Sequence, residues 1–333
     1  MSYHIVILGA GAIGCHFGAS IANGVANAGG QVTLIGRDAT LDPLRQNPLI
    51  VDGQTKIEVP PEKVTLTSDP KALAQADLIA LALKSHGLET AMEQIEACAK
   101  PATPILSLLN GLAPVKTLRS NLKTRAVIAG MVPFNVVWTS ETSLHPSGPG
   151  QISVEQHEVT TWLQSIGTDL QIVDDLSPIQ HGKLLLNLVN PINALAGVPL
   201  YDMLSDRGYR RVYSAAISEA LKVYDAAGIE WAQIGPTNPR LALRMLRAPN
   251  WVFRNLVLKK QNLDRTSMTS MASDLANCKP TEIDTINGEI VRLGAEHGIE
   301  TPVNARLVAL VKAAEGGNLS PLRSEILKRE VGL

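Results

Sequence analysis

Five short apolar runs, at residues 5–8, 32–35, 78–83, 105–109 and 127–131, punctuate the first half of the chain. Continuous apolar runs of strand length suit a parallel sheet covered on both faces. Helix-like segments at 12–28 and 89–99 lie between them. The alternation predicts a doubly wound α/β domain with a mostly parallel sheet. Residues 134–138 and 151–154 flank a Pro146-Ser147-Gly148-Pro149-Gly150 loop and are expected to form a hairpin-like extension of that sheet. Beyond about Asp175 the strand pattern stops. Residues 179–196, 207–227, 281–297 and 304–314 read as helices, with Gly228 and Gly298 at C-cap positions. The expectation is an α/β domain over 1–175 followed by an all-α domain over 176–333.

Length agrees with that division, since 333 residues suggest two domains. Apolar residues make up 45% of the chain, which excludes disorder, and aromatics only 4%, which makes the core aliphatic. Thirty basic against thirty-one acidic residues leave a net charge of −1, which argues against a nucleic-acid binder working through a broad basic surface. Three unpaired cysteines and seven scattered histidines suggest neither a disulfide framework nor a metal site. No apolar run reaches membrane-spanning length, and residues 1–8 lack the basic start of a signal peptide. A cytoplasmic protein with no membrane partner is expected.

The chemistry begins at Gly9-Ala10-Gly11-Ala12-Ile13-Gly14, directly after the first strand and opening the first helix. Glycines in that order allow close backbone approach to a pyrophosphate, amide donors at a helix N-terminus and tight helix–strand packing. The second strand ends in Gly36-Arg37 rather than a carboxylate. A guanidinium there can grip a ribose 2′-phosphate with paired donors, which favours NADP(H) over NAD(H). Asp38 next door argues the other way. Two further strand ends reach the same edge, one at Lys84 and one at Asn110-Gly111. Lys84 could face a cofactor phosphate or ribose, and Asn110 the nicotinamide ribose or a substrate; each is also an ordinary loop residue.

In the second half, Lys183, Asn187, Asn190 and Ala194 fall within about 60° of arc on a helix otherwise rich in Leu, Val and Ile. A polar line on a buried helix needs partners other than bulk water, and a ligand cleft supplies them. Pro191 cannot donate to the carbonyl of Asn187, so a kink is expected there. Thr281 and Asp284 have capping-box-like spacing, which would place Glu282 in the first turn of a helix.

Together these pieces resemble the ketopantoate reductase (2-dehydropantoate 2-reductase) family. The match runs over nearly the whole chain. It rests on the glycine fingerprint, Leu83-Lys84, Asn110-Gly111, Lys183-Leu184 with Asn187, and Thr281-Glu282-Ile283-Asp284-Thr285-Ile286-Asn287-Gly288. The resemblance implies a Rossmann domain followed by a helical domain, with a small 2-oxo acid bound in the cleft between them. It implies NADPH-dependent reduction of ketopantoate to pantoate, a step toward pantothenate and coenzyme A. By the same resemblance Lys183 is the catalytic lysine and Glu282 the glutamate that orders it. Asn110, Asn187 and Ser270 join Lys183 in contacting substrate, while Gly9, Gly11, Ile13, Gly14, Arg37, Lys84 and Asn110 hold NADP(H). A homodimer is implied on that ground alone.

The chain departs from the family pattern once. A second asparagine expected four residues after Asn187 is replaced by Pro191, with Asn190 one residue early. The exact acid therefore stays open between ketopantoate and another 2-oxo acid. A non-catalytic NADP(H)-binding regulator is the rival from a different class.

Overall fold

The computed structural model describes residues 2–148, 150–234, 238–259, 265–317 and 320–333. The chain divides into two compact units, Met1–Leu176 and Ser177–Leu333.

The first unit is built on the expected apolar runs. They become β1 (His4–Leu8), β2 (Gln31–Ile35), β6 (Leu78–Leu81), β7 (Ile105–Ser107) and β8 (Val127–Met131). With β5 (Thr65–Thr67), β11 (Ile152–Glu155) and β12 (Leu170–Val173) they form an eight-stranded sheet ordered β12-β11-β8-β7-β6-β1-β2-β5. Every pairing is parallel except β8 with β11. The two-residue period sorts each strand's side chains. Ile5 and Ile7 enter one core with Leu34, Leu78 and Leu106, while Val6 and Leu8 enter the opposite core with Ile79, Leu81 and Ile105. Burial on both faces is why these strands read as unbroken apolar runs rather than alternating ones.

Helix α1 (Ala12–Asn27) covers the first face, and α3 (Leu88–Cys98) and α4 (Ala113–Asn121) supply Leu88, Ile95 and Leu118 to the second. Helices α2 (Asp38–Gln46) and α5 (Glu158–Ser165) complete the unit. A second sheet was not anticipated. It runs β4 (Lys56–Val59), β3 (Leu49–Asp52), β10 (Ser143–Ser147), β9 (Asn135–Trp138), and packs on α1. The expected hairpin of 134–138 with 151–154 therefore does not form. The first segment pairs with β10 in this second sheet, and the other joins β8 in the main one. Pro149 of the intervening loop lies outside the described residues.

The second unit has helices and no strand among its described residues. Its first elements are α6 (Ser177–Asn187), α7 (Asn190–Ala196), α8 (Leu200–Ser205), α9 (Arg207–Ala227) and α10 (Pro239–Leu246). Helices Ser270–Ala276, Asn287–Glu296, Pro302–Glu315 and Ser324–Glu330 follow. The long α9 is the hub, packing on α7, α8, α10 and the last three of these. Asp206 caps its start by accepting from the Gly208 amide at 2.6 Å, and Gly228 ends it at φ +63°. Its Arg210 is fully buried. The guanidinium donates to the carbonyls of Leu204, Leu246 and Ala248 at 2.7–3.1 Å, which ties the end of α8 and the exit of α10 to α9.

The single helix expected over 179–196 is two helices. Pro191 offers no N–H to Asn187, and the ladder fails just before it. The Val189 amide turns back to Leu186 at 3.3 Å, and regular bonding resumes when Asn193 N donates to Val189 O. The expected helix over 281–297 also shortens, starting only at Asn287. Residues 282–286 form tight turns instead, with the amides of Thr285 and Ile286 both donating to Glu282 O at 3.2 Å.

Candidate active site

In the first unit the parallel order β7-β6-β1-β2 places four strand ends side by side at their carboxyl edge. Ligands of open α/β sheets lie beyond that edge. The glycine loop leaves β1 there, with Gly9 at φ +115°, a conformation that a side chain would strain. A Cβ at Gly14 would overlap the Gly9 carbonyl oxygen, so this glycine is what lets α1 start so close to β1. Gly11 differs: it is exposed, it precedes α1 without any side-chain cap, and a Cβ there would meet nothing within 4 Å. Its open side and the uncapped first amides of α1 form a cradle that fits an anionic pyrophosphate. Ile13 packs its side chain onto the core beneath.

Arg37 leaves the end of β2 exposed to solvent. Its neighbour Asp38 is engaged elsewhere, 3.0 Å from Arg45 and accepting from Ser68 at 3.1 Å. Those contacts hold the Asp38 carboxyl below its ordinary pKa range, the hydrogen bond from Arg45 being the largest cause. The carboxylate that counted against a 2′-phosphate thus has partners in Arg45 of α2 and in Ser68 after β5. Lys84, half-buried, heads the short turn Ser85–Gly87 after β6. Asn110, also half-buried, follows β7 and precedes Gly111 at φ +85°.

In the second unit Lys183 sits on α6 with Leu184 and Leu185 buried behind it. Desolvation lowers its pKa to about 8, and the charge of Glu282 opposes that fall. The two residues are 99 apart in sequence, and the fold brings them into electrostatic contact. Glu282 is buried at 7% exposure. It does not stand in a helical first turn, because the residues expected to form the capping box have other partners. The Thr281 amide and hydroxyl donate to Glu315 at 2.8 and 2.6 Å, and the Asp284 carboxylate lies 2.7 Å from Lys312.

Asn187, one turn after Lys183, is half-buried, whereas Asn190 begins α7 and is buried. Ser270 opens its own helix behind Thr269, whose hydroxyl accepts from the Ala272 amide at 3.3 Å. One residue here escaped the sequence reading. Fully buried Asn193 accepts from the Thr269 amide at 2.9 Å and donates to Val198 O at 2.8 Å, fixing the Ser270 turn onto α7. A lone amide among Ile192, Ala194 and Leu195 was the available signal.

The model of the ketopantoate reductase PanE/ApbA family matches residues 5–158, and that of its C-terminal part matches 175–315. This chain belongs to the ketopantoate reductase family. Membership makes it an oxidoreductase. The 2-dehydropantoate 2-reductase of Pyrococcus horikoshii is 27% identical over 323 residues, spanning 93% of this chain and 97% of that protein. The crystal structure of a PanE/ApbA family ketopantoate reductase from Ralstonia eutropha JMP134 aligns with a TM-score of 0.79 and 28% identity, over 94% of this chain and 99% of that one. D-mandelate dehydrogenase, solved with NADH and anilino(oxo)acetate, shares the fold at a TM-score of 0.74 and 22% identity, over 94% and 99% of the two chains. Among the described residues of this family member, no helix is long and apolar enough to cross a membrane, and no cluster of His, Cys, Asp and Glu could hold a metal ion.

Proposed function

We propose that this chain is an NADPH-dependent 2-dehydropantoate 2-reductase. The Met1–Leu176 unit binds the dinucleotide, and the Ser177–Leu333 unit supplies the proton. The observation that carries the reading is the half-buried, desolvated Lys183 beside the charge of buried Glu282. A lysine with a pKa of about 8 is charged at neutral pH, yet it releases a proton far more readily than an ordinary lysine. Its ammonium stabilises the oxygen of a 2-oxo acid as negative charge develops there, then protonates it. Glu282 holds the ammonium in its charged form, and Asn187 and Ser270 hydrogen-bond the acid. NADPH, when bound, supplies the hydride. In the first unit Gly9, Gly11, Ile13 and Gly14 make the cradle for its pyrophosphate, and Lys84 and Asn110 serve the ribose side.

A second reading, turnover of a different 2-oxo acid, is favoured by one observation. The break before Pro191 buries Asn190 at the head of α7, which removes an amide from the turn after Asn187. NADPH oxidation with 2-dehydropantoate beside a panel of branched and aromatic 2-oxo acids separates the two. Fast turnover of another acid with none of 2-dehydropantoate selects the second. Tight NADPH binding without turnover of any acid rejects both and leaves a regulator.

The role of Arg37 has its own test. Hydrogen bonds to a charged group contribute about 1.5–3 kcal/mol, so Arg37→Ala should raise KM for NADPH roughly 10–100-fold. KM for NADH should stay unchanged. An equal loss with both cofactors would remove the 2′-phosphate assignment.

A further inference from the structure

Lys183 and Glu282 belong to separate elements, and a proton donor works only if both are held in register. Both elements are anchored to α9. The break before Pro191 draws the Val189 amide off Leu185 O and onto Leu186 O, so the carbonyls at the end of α6 lose their regular i+4 pairing and have room for a further donor. The Tyr213 hydroxyl of α9 donates to two of them, Leu186 O at 3.2 Å and Leu185 O at 3.4 Å. Three turns further along α9, the Tyr224 hydroxyl donates to His181 O at 3.3 Å, and its ring meets the His181 ring edge-on at 5.2 Å. The two phenols thus grip α6 on either side of Lys183. Burial raises the pKa of both, so they remain protonated donors.

Between the tyrosines lies Glu219, buried at 8% exposure. Its carboxylate accepts from the Val303 amide at 2.9 Å, the Asn304 amide at 3.0 Å and the Asn304 side chain at 2.7 Å. These contacts seat a negative charge on the N-terminus of helix Pro302–Glu315, where the helix dipole favours it. That helix in turn holds both ends of the Glu282 turn. Asn304 Oδ1 accepts from Asn287 Nδ2 at 2.9 Å, and Glu315 accepts from Thr281. Gly182, next to Lys183, adds a further close contact of α6. A Cβ there would overlap the Ala232 carbonyl oxygen, so α6 is pressed against the chain that follows α9.

We infer that α9 is the element that sets the Lys183–Glu282 geometry, with Tyr213 and Glu219 as its positioning residues. The inference rests on that pair being the reacting one, as proposed above. Neither residue touches the reacting atoms. Glu219 fixes Glu282 through Asn304 and Asn287, and Tyr213 fixes the turn of α6 that follows Lys183.

The test is steady-state kinetics of the full-length variants Glu219→Gln and Tyr213→Phe, with NADPH and the best acid of the panel, beside Lys183→Ala. A misplacement of about 1 Å can cost roughly 100-fold, so kcat should fall about 10–100-fold in each positioning variant. KM for NADPH should be unchanged, and the thermal midpoint should stay above the assay temperature. In Glu219→Gln the alkaline limb of the pH profile should also move to lower pH, because a displaced Glu282 raises the Lys183 pKa less. A purely structural role would shift the thermal midpoint and leave kcat and that limb in place. Wild-type kcat in the folded variants, with Lys183→Ala inactive, overturns the α9 inference alone. Wild-type turnover in Lys183→Ala overturns it together with the reading on which it rests. If Glu219→Gln does not fold, Tyr213→Phe decides, since it keeps the ring and removes only the hydroxyl.

Discussion

Lys183→Ala is expected to lower kcat by about 10²–10⁴-fold, the usual contribution of a positioned proton donor. KM for NADPH should hardly move, because the glycine cradle and Arg37 lie in the first unit. The pH dependence gives a sharper version of the same prediction. As the proposed donor, Lys183 must be protonated to act, and desolvation has brought its pKa to about 8. In the reducing direction kcat/KM should therefore be flat below that value and fall tenfold per pH unit above it. In the oxidising direction the same group accepts the proton, so the rate should instead rise through the same midpoint. Glu282→Gln should move the midpoint down, since it removes a charge that raises the Lys183 pKa against desolvation. An upward shift, or a pH profile in Lys183→Ala identical to that of the parent, would show that another group donates the proton.

The parts of this molecule that were legible in its sequence are those decided locally. The runs that became β1, β2, β6, β7 and β8 are apolar because the sheet is covered on both faces, and that covering shows in each run by itself. The strands that escaped, such as Thr65–Thr67 and Lys56–Val59, are short, polar-rich and at sheet edges, with little apolar signal to read. The second sheet packs on α1, and residues 49–59 carry only a short hairpin signal in Leu49-Ile50-Val51 and Asp52-Gly53, with no sign of the partner strand β10 almost a hundred residues later. The Glu282 turn shows the same competition in the site. Its Thr-x-x-Asp spacing is a local helix-start signal, but Thr281 and Asp284 find Glu315 and Lys312, more than two dozen residues later. Long-range partners took the groups that a capping box would have used. The break at Pro191, by contrast, follows from one missing N–H and was readable without any fold.

The glycine loop offers a pair of substitutions that should both weaken NADPH binding but differ in their effect on stability. Gly14→Ala places a methyl where the Gly9 carbonyl oxygen already stands, and 3.2 Å from the Ala82 Cβ. Neither neighbour is a flexible side-chain end, so α1 must move away from β1 to admit it. Overpacking of this kind costs about 1–3 kcal/mol. With roughly 2–4 °C per kcal/mol for a domain of this size, the midpoint of the first unit should fall by about 2–12 °C. NADPH affinity should collapse with it, as the displaced loop no longer presents its amides. Gly11→Ala meets nothing within 4 Å, and its φ of −80° suits any residue, so the thermal midpoint should stay where it is. Its methyl nevertheless occupies the space through which a pyrophosphate must approach the backbone. NADPH affinity should therefore fall about tenfold or more without loss of stability. Fluorescence titration of NADPH beside a thermal melt reads both quantities. Unchanged affinity in a stable Gly11→Ala would mean that the open side of Gly11 faces solvent and not a cofactor, and the cradle would have to be sought elsewhere along the strand ends.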